Sequence, residues 1–261
     1  MSNILAISDV HVAFGGLKAI DGCTFEVEKG TITALIGPNG AGKSTMVGSI
    51  AGAVSLTSGS ITFDGQEISH LPTYRRAQGG LIRTYQISRE FGGMTVLENL
   101  LVVRLGQSGE SLINAVFRPK KSKTETNALV GEANEILNTF GLYRLRNEYA
   151  SNLSGGQKRL LELSRAVMAK PKMLLLDEPM AGVTPALIEI LGQHLLDLNK
   201  GSGMSMLLVE HNLEVVDKIC SRVVVMATGK RLAEGTLAEL RSNRDVVEAY
   251  LGGEVHERIG S

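Results

Sequence analysis

The chain has 261 residues, room for one large domain or two small ones. Apolar residues make up 43% and charged residues 21%, an ordinary globular balance that excludes wholesale disorder, and 27 basic against 27 acidic side chains leave no net field for gripping nucleic acid. No basic segment followed by an apolar run opens the chain, and stretches such as Met173 to Leu176 or Val223 to Ala227 fall far short of the ~20 residues of a membrane helix, so a soluble cytoplasmic protein is expected.

Ala6 to Ala13 alternates apolar and polar residues as a half-buried strand does, and Cys23 to Val27 reads as a second strand. Gly30 turns the chain into Thr31 to Ile36, a β-branched apolar run that ends abruptly in glycine and suits a buried strand. Helical periodicity follows from Lys43 to Ala51, and Ser60 to Phe63 with Gln66 to Ile68 bracket Asp64-Gly65 as a hairpin. Residues 70 to 150 read as mostly helical, with Ala133, Ile136, Leu137 and Phe140 on one face. Within them Gly106 to Thr126 is a polar surface excursion. From Ser154 an α/β pattern returns: helix 154–169, strand 173–176, helix 186–199, strand 204–209, helix 212–219 and strand 222–227, before a turn at Thr228 to Lys230 leads into Arg231 to Glu234. Cys23 and Cys220 have no metal-ligand spacing and are expected as buried reduced thiols.

Glycine is enriched, 30 residues, and its placement is informative. Gly37-Pro-Asn-Gly-Ala-Gly-Lys-Ser44 fits G-x-x-x-x-G-K-[ST] between a predicted strand and a predicted helix. Such a loop curls backbone N–H groups around phosphate oxygens while the helix points its positive end at the anion. Lys43 is placed to reach the β- and γ-phosphates and the Ser44 hydroxyl to coordinate Mg²⁺. Asp177 ends the apolar run Met173-Leu-Leu-Leu and can hold the metal; Glu178, next to it, can polarise an attacking water. In Leu153-Ser-Gly-Gly-Gln157, Ser154 and Gln157 are spaced as a helix capping box, yet two glycines weaken a first helical turn. A helix start with bare backbone is a second phosphate-binding end, and one nucleotide is poorly suited to occupy both. Two chains face to face, each covering the other's ATP, is the economical arrangement.

In this order the motifs resemble those of ABC-transporter ATP-binding subunits, over almost the whole chain. GPNGAGKS resembles the Walker A loop, which makes Gly37, Pro38, Asn39, Gly40, Ala41, Gly42, Lys43, Ser44 and Thr45 nucleotide-binding residues. LSGGQ resembles the signature, with Ser154, Gly155, Gly156 and Gln157 touching the nucleotide of a partner subunit, and LLLDE resembles the Walker B strand with Glu178 catalytic. Gln86 in Arg83-Thr-Tyr-Gln86 sits where the family's glutamine touches Mg²⁺ and senses the membrane partner, His211 matches the switch histidine at the γ-phosphate, and Phe14 falls where an aromatic ring stacks on adenine. The resemblance implies an α/β P-loop NTPase: a RecA-like core over about 1–87 and 166–261, carrying an antiparallel β subdomain, and a helical ABC-specific subdomain over about 88–165. It implies ATP and Mg²⁺ as ligands, with ATP-driven dimerisation and hydrolysis coupled to transport.

Phe14 to Asp21, Glu178 to Pro185, Glu210 to Val216 and the Val-Val-Glu-Ala-Tyr-Leu tail narrow the resemblance to the larger ATPase of branched-chain amino acid importers, as does the 106–126 excursion. Thr184 departs from the Asp or Asn usual at its position, one that works across the dimer interface. The alternatives are a lipopolysaccharide-export ATPase, a urea or amide importer ATPase and, more distantly, a soluble ABC ATPase of translation or DNA repair; a single P-loop and the lack of a heptad run speak against the last. The expected partners are two integral-membrane permease subunits, a second copy or a paralogous ATPase, and indirectly an extracytoplasmic solute-binding protein, with no nucleic acid. The expected location is the cytoplasmic face of the inner membrane, as a peripheral subunit.

Overall fold

The computed structural model describes residues 2–84, 90–104 and 119–250, with backbone only over 119–125. It divides into two units, one of residues 1–83, 172–182 and 188–261, the other of 84–171 and 183–187.

The first unit holds two sheets. β1 (Asn3–Phe14) and β2 (Leu17–Glu28) form a long antiparallel hairpin with Phe14 paired to Leu17 at its tip. β1 also pairs antiparallel with β4 (Ser58–Phe63), and β5 (Gln66–Glu67) completes this sheet. The hairpin strands extend beyond the segments expected: Asn3 to Leu5 and Leu17 to Gly22 join through backbone pairing, with Ile4, Leu5 and Ile20 buried in a pattern that breaks the strict alternation of apolar and polar residues.

The second sheet contains β3 (Ile32–Ile36), β6 (Leu81–Arg83), β7 (Met173–Asp177), β8 (Ser205–Val209), β9 (Arg222–Ala227) and β10 (Lys230–Gly235), in the order β10-β9-β3-β8-β7-β6. Its pairings are parallel except β10 on β9. Every residue of β3, β7 and β8 is buried, as strands covered on both faces must be, which is why they read as continuous apolar runs. β6 lies inside the stretch expected to be mostly helical. Three residues give no period to read, and parallel pairing with β7 makes them a strand.

Helices α1 (Lys43–Ala51), α2 (Thr73–Gln78), α6 (Pro185–Ser202), α7 (Leu213–Ile219), α8 (Leu237–Arg241) and a last helix at 244–250 accompany the sheets, α6 starting in the second unit. Met46, Val47 and Ile50 of α1 pack in one cluster with Phe25, Ile61, Leu35 and Leu175, so the core joins both sheets beneath the Gly37–Ser44 loop. Arg76 is buried and ties this region together, donating to the carbonyls of Ser49, Ile50, Ser69 and Leu71. Those four acceptors satisfy the guanidinium without a carboxylate.

The second unit is built on α3 (Val96–Leu101), α4 (Pro119–Thr139) and α5 (Gly155–Met168). Fully buried Asn99 pins the loop before α3: Oδ1 accepts from the Phe91 amide at 2.9 Å and Nδ2 donates to the carbonyls of Phe91 and Thr95. Ala133, Leu137 and Phe140 bury the apolar face of α4, with Ile136 half-buried beside them. Most of the 106–126 excursion lies outside the described residues. Cys23 is buried and Cys220 only half-buried, so the expectation of two buried thiols holds for one of them; both are free. Cys220 caps the end of α7, where the chain returns to the surface before β9.

Candidate functional site

Buried β3 ends at Ile36, and the chain turns through Gly37–Gly42 into α1, giving the phosphate loop its strand before and helix after. Gly37 has φ +150° and a Cβ there would stand 2.0 Å from the Met226 carbonyl; Gly42 has φ +97° and its Cβ would stand 2.5 Å from the Ala19 carbonyl. The loop is thus clamped between β9 and β2, and only glycine fits at both places. Lys43 is buried and its Nζ donates to the carbonyls of Gly37 at 2.8 Å and Pro38 at 2.9 Å. Burial holds its ammonium below the ordinary lysine range, opposed by the charges of Glu178 and Asp177.

Asp177 is the last residue of β7 and pairs with Arg83, the last of β6, at 2.8 Å. Glu178 follows with φ +49°, a left-handed backbone that a non-glycine residue adopts only where its surroundings fix it. Its Oε1 lies 3.0 Å from Nε2 of His211, which follows β8. A cleft of about 360 Å³ is lined by Phe14, Leu17 to Ala19, Asn39 to Thr45, Glu178 and His211. Phe14, 54% exposed at the hairpin tip, forms one side of it. The cleft brings together an aromatic face, the glycine-rich loop, the Glu178 carboxylate and a histidine on that carboxylate.

Among the described residues no group of three or more His, Cys, Asp or Glu is arranged to hold a metal. Mg²⁺ does not require one: it is commonly held by one or two protein oxygens together with substrate phosphates and water. The exposed Ser44 hydroxyl beside the loop and the Asp177 carboxylate fit that donor set. Gln86 lies outside the described residues.

Ser154, Gly155, Gly156 and Gln157 start α5 in the second unit. The capping box is complete: Ser154 Oγ accepts from the Gln157 amide at 3.3 Å and Gln157 Oε1 from the Ser154 amide at 2.9 Å. A Cβ at Gly155 would stand in open space, whereas one on Gly156 would press Leu187 Cδ2 at 2.6 Å, so close packing favours glycine at the second position only. The helix start is left as exposed backbone. Thr184 is exposed just before α6, its carbonyl accepting from the Leu187 amide.

Three further residues touch this machinery and were not singled out by sequence. Arg83 reaches Asp177. Glu210, beside His211, is buried, which pushes its carboxyl above the ordinary range against the opposing pull of three backbone amides, those of Met180, Asn212 and His211. Tyr250, in the 244–250 helix, hydrogen-bonds to the Gly37 backbone, and burial pushes its hydroxyl up to about 12. A charged residue directly after the apolar run of β8 was the available signal for Glu210; Tyr250 gave none.

The family model for ABC transporters matches residues 20–181, and the model for the branched-chain amino acid ATP-binding cassette transporter matches 230–256. The chain belongs to the ABC transporter family, as an ATP-binding cassette. Within that class it is 40% identical to a probable branched-chain amino acid transport ATP-binding protein of Archaeoglobus fulgidus, over 97% of each chain. It is 36% identical to a high-affinity branched-chain amino acid transport ATP-binding protein of Pseudomonas aeruginosa, over 95% of this chain and 98% of that one. The crystal structure of a nucleotide-free ATP-binding cassette from an ABC transporter superposes with a TM-score of 0.81 at 36% identity, covering 95% of this chain and 98% of the other. The ADP conformation of an ATP-binding cassette superposes at 0.80 and 35% identity, covering 97% and 100%.

Proposed function

We propose that Lys43, Glu178 and His211 carry ATP hydrolysis in the cleft below the β1–β2 hairpin tip. The chain is the ATP-hydrolysing subunit that powers an ABC transporter importing branched-chain amino acids. Phe14 stacks on the adenine and the backbone N–H groups of Asn39 to Thr45 hold the phosphates, Pro38 having none to give. Lys43 exchanges its loop carbonyls for phosphate oxygens, a local rotation of one buried side chain. Glu178 orients the attacking water, and His211 meets its Oε1 within hydrogen-bond distance. Ser44, Asp177 and Gln86 would hold Mg²⁺, which when bound offsets the charge on the β- and γ-phosphate oxygens.

Ser154 to Gln157 act on the nucleotide held by a second ATPase chain, a copy or a paralogue, so that closure depends on contacts made only with the γ-phosphate present. Two integral-membrane permease subunits receive the motion at the cytoplasmic face of the inner membrane, and an extracytoplasmic solute-binding protein delivers the solute to them. Among the described residues no helix is long and apolar enough to cross a membrane, which agrees with a peripheral subunit. The match at 230–256 favours amino-acid import over lipopolysaccharide export.

The observation that carries this reading is the 3.0 Å contact of Glu178 with His211 in the cleft that also holds Lys43. Its test is Glu178→Gln. Hydrolysis should fall by about a hundredfold or more while ATP affinity is kept, as expected for removal of a general base. Undiminished turnover would remove Glu178 from the role.

A further inference from the structure

We infer that Glu210 is a positioning residue that clamps the segments bearing Glu178 and His211 to one another through the two oxygens of its single carboxylate. The inference rests on the reading of Glu178 and His211 as the hydrolytic pair.

Glu210 follows β8 and is 5% exposed. Its Oε1 accepts from the Met180 amide at 2.9 Å, two residues beyond Glu178. Its Oε2 turns to its own loop and accepts from the amides of His211 at 3.1 Å and Asn212 at 3.5 Å. Each oxygen thus serves a different segment. Asn212 in turn accepts from the amides of Glu214 and Val215, which anchors the histidine loop to α7. On the other side, Glu178 donates its amide to the Val209 carbonyl at 3.0 Å.

Two features give this bridge a function. Glu178 sits in the left-handed region at φ +49°, a conformation that persists only where neighbours over-determine it, and the Met180 amide is one of the points at which its segment is held. The direct contact of Glu178 with His211 is between partly exposed side chains, 23% and 47%, and exposed pairs hold geometry weakly. The buried bridge behind them is better suited to set their separation, because a buried carboxylate that loses its donors is costly and so resists parting of the two segments. A displacement of either segment is passed to the other.

The test is hydrogen exchange on the full-length chain, with turnover and ATP affinity measured on the same samples. Glu210→Gln keeps the shape of the side chain but offers one acceptor oxygen, its –NH₂ opposing the remaining amides. It should speed exchange about tenfold in one of the two segments, 179–182 or 211–213, and leave the other protected. Glu210→Ala should speed both, with the amides of β3 and β7 unchanged. The turnover of Glu210→Gln should fall about tenfold with ATP affinity changed less than about threefold, the split expected of a residue that orients catalytic groups without touching substrate. Unchanged exchange in both segments, or exchange raised equally in the core strands, would overturn the clamp. So would a parallel loss of ATP affinity. Glu210→Gln, being isosteric, decides the matter by itself if the alanine variant fails to fold. Retention of turnover in Glu178→Gln would instead overturn the hydrolytic assignment, and the exchange pattern distinguishes the two failures.

Discussion

Charged side chains decide the chemistry of this cleft because each is placed against a specific partner. Lys43 is buried on two loop carbonyls, Asp177 faces Arg83, and Glu178 faces His211. The thiols are placed to do the opposite. Burial raises Cys23 from 9.0 to about 11, and burial together with the Glu210 carboxylate raises Cys220 to about 12. Iodoacetamide at pH 8 should therefore leave the folded chain unlabelled over minutes and label both cysteines in denaturant, as mass spectrometry would read, because only the thiolate reacts. The stability consequence has a definite sign. Between pH 9 and 11 the unfolded chain has lost thiol protons that the folded chain keeps, so each cysteine lowers stability as pH rises through that window. A chain whose urea midpoint is flat or rising from these groups there, judged against Cys23→Ser, would contradict the burial.

Helix ends separate structural from functional capping. Ser154 with Gln157 and Thr236 with Glu239 both form complete capping boxes, at the starts of α5 and α8. Ser154→Ala and Thr236→Ala should each cost about 1 kcal/mol in urea denaturation. ATP turnover should fall only in Ser154→Ala, since of these two helices only α5 opens on glycine backbone, the segment proposed to meet a partner's nucleotide. Equal loss of turnover in both would reduce the signature to a cap. Arg76 bears on stability in a different way, holding the end of α1 and the turn before α2 by four carbonyls. Arg76→Met should destabilise the chain by about 3 kcal/mol or more, because the acceptors are left buried and unpaired; a change under about 1 kcal/mol in the denaturation midpoint would show the network to be replaceable.

Assembled, the chain is a motor subunit whose working form includes other chains. Tagged Glu178→Gln, purified from detergent-solubilised membranes with Mg-ATP, should bring down two different permease subunits and an ATPase partner, identified by mass spectrometry. Lipopolysaccharide-export components in their place would overturn the amino-acid reading, and ribosomes or DNA without membrane protein would overturn the transporter reading.

The parallel strands β3, β7 and β8 were legible as runs because burial on both faces requires unbroken apolar sequence, and the phosphate loop because its glycines, lysine and serine are contiguous and Lys43 acts on backbone only a few residues away. The middles of the hairpin strands were legible, but their ends and β6 were not, the pairing there being supplied by a neighbour and not by their own pattern. The same reason separates the residues of the site. Lys43 and Ser44 are set by a contiguous motif, whereas Arg83 meets Asp177 across 94 residues and Glu210 meets Met180 across 30. Local chemistry is written in residue order. Which side chains stand behind that chemistry is decided by which strand ends the sheet places side by side, and only the folded chain brings those together.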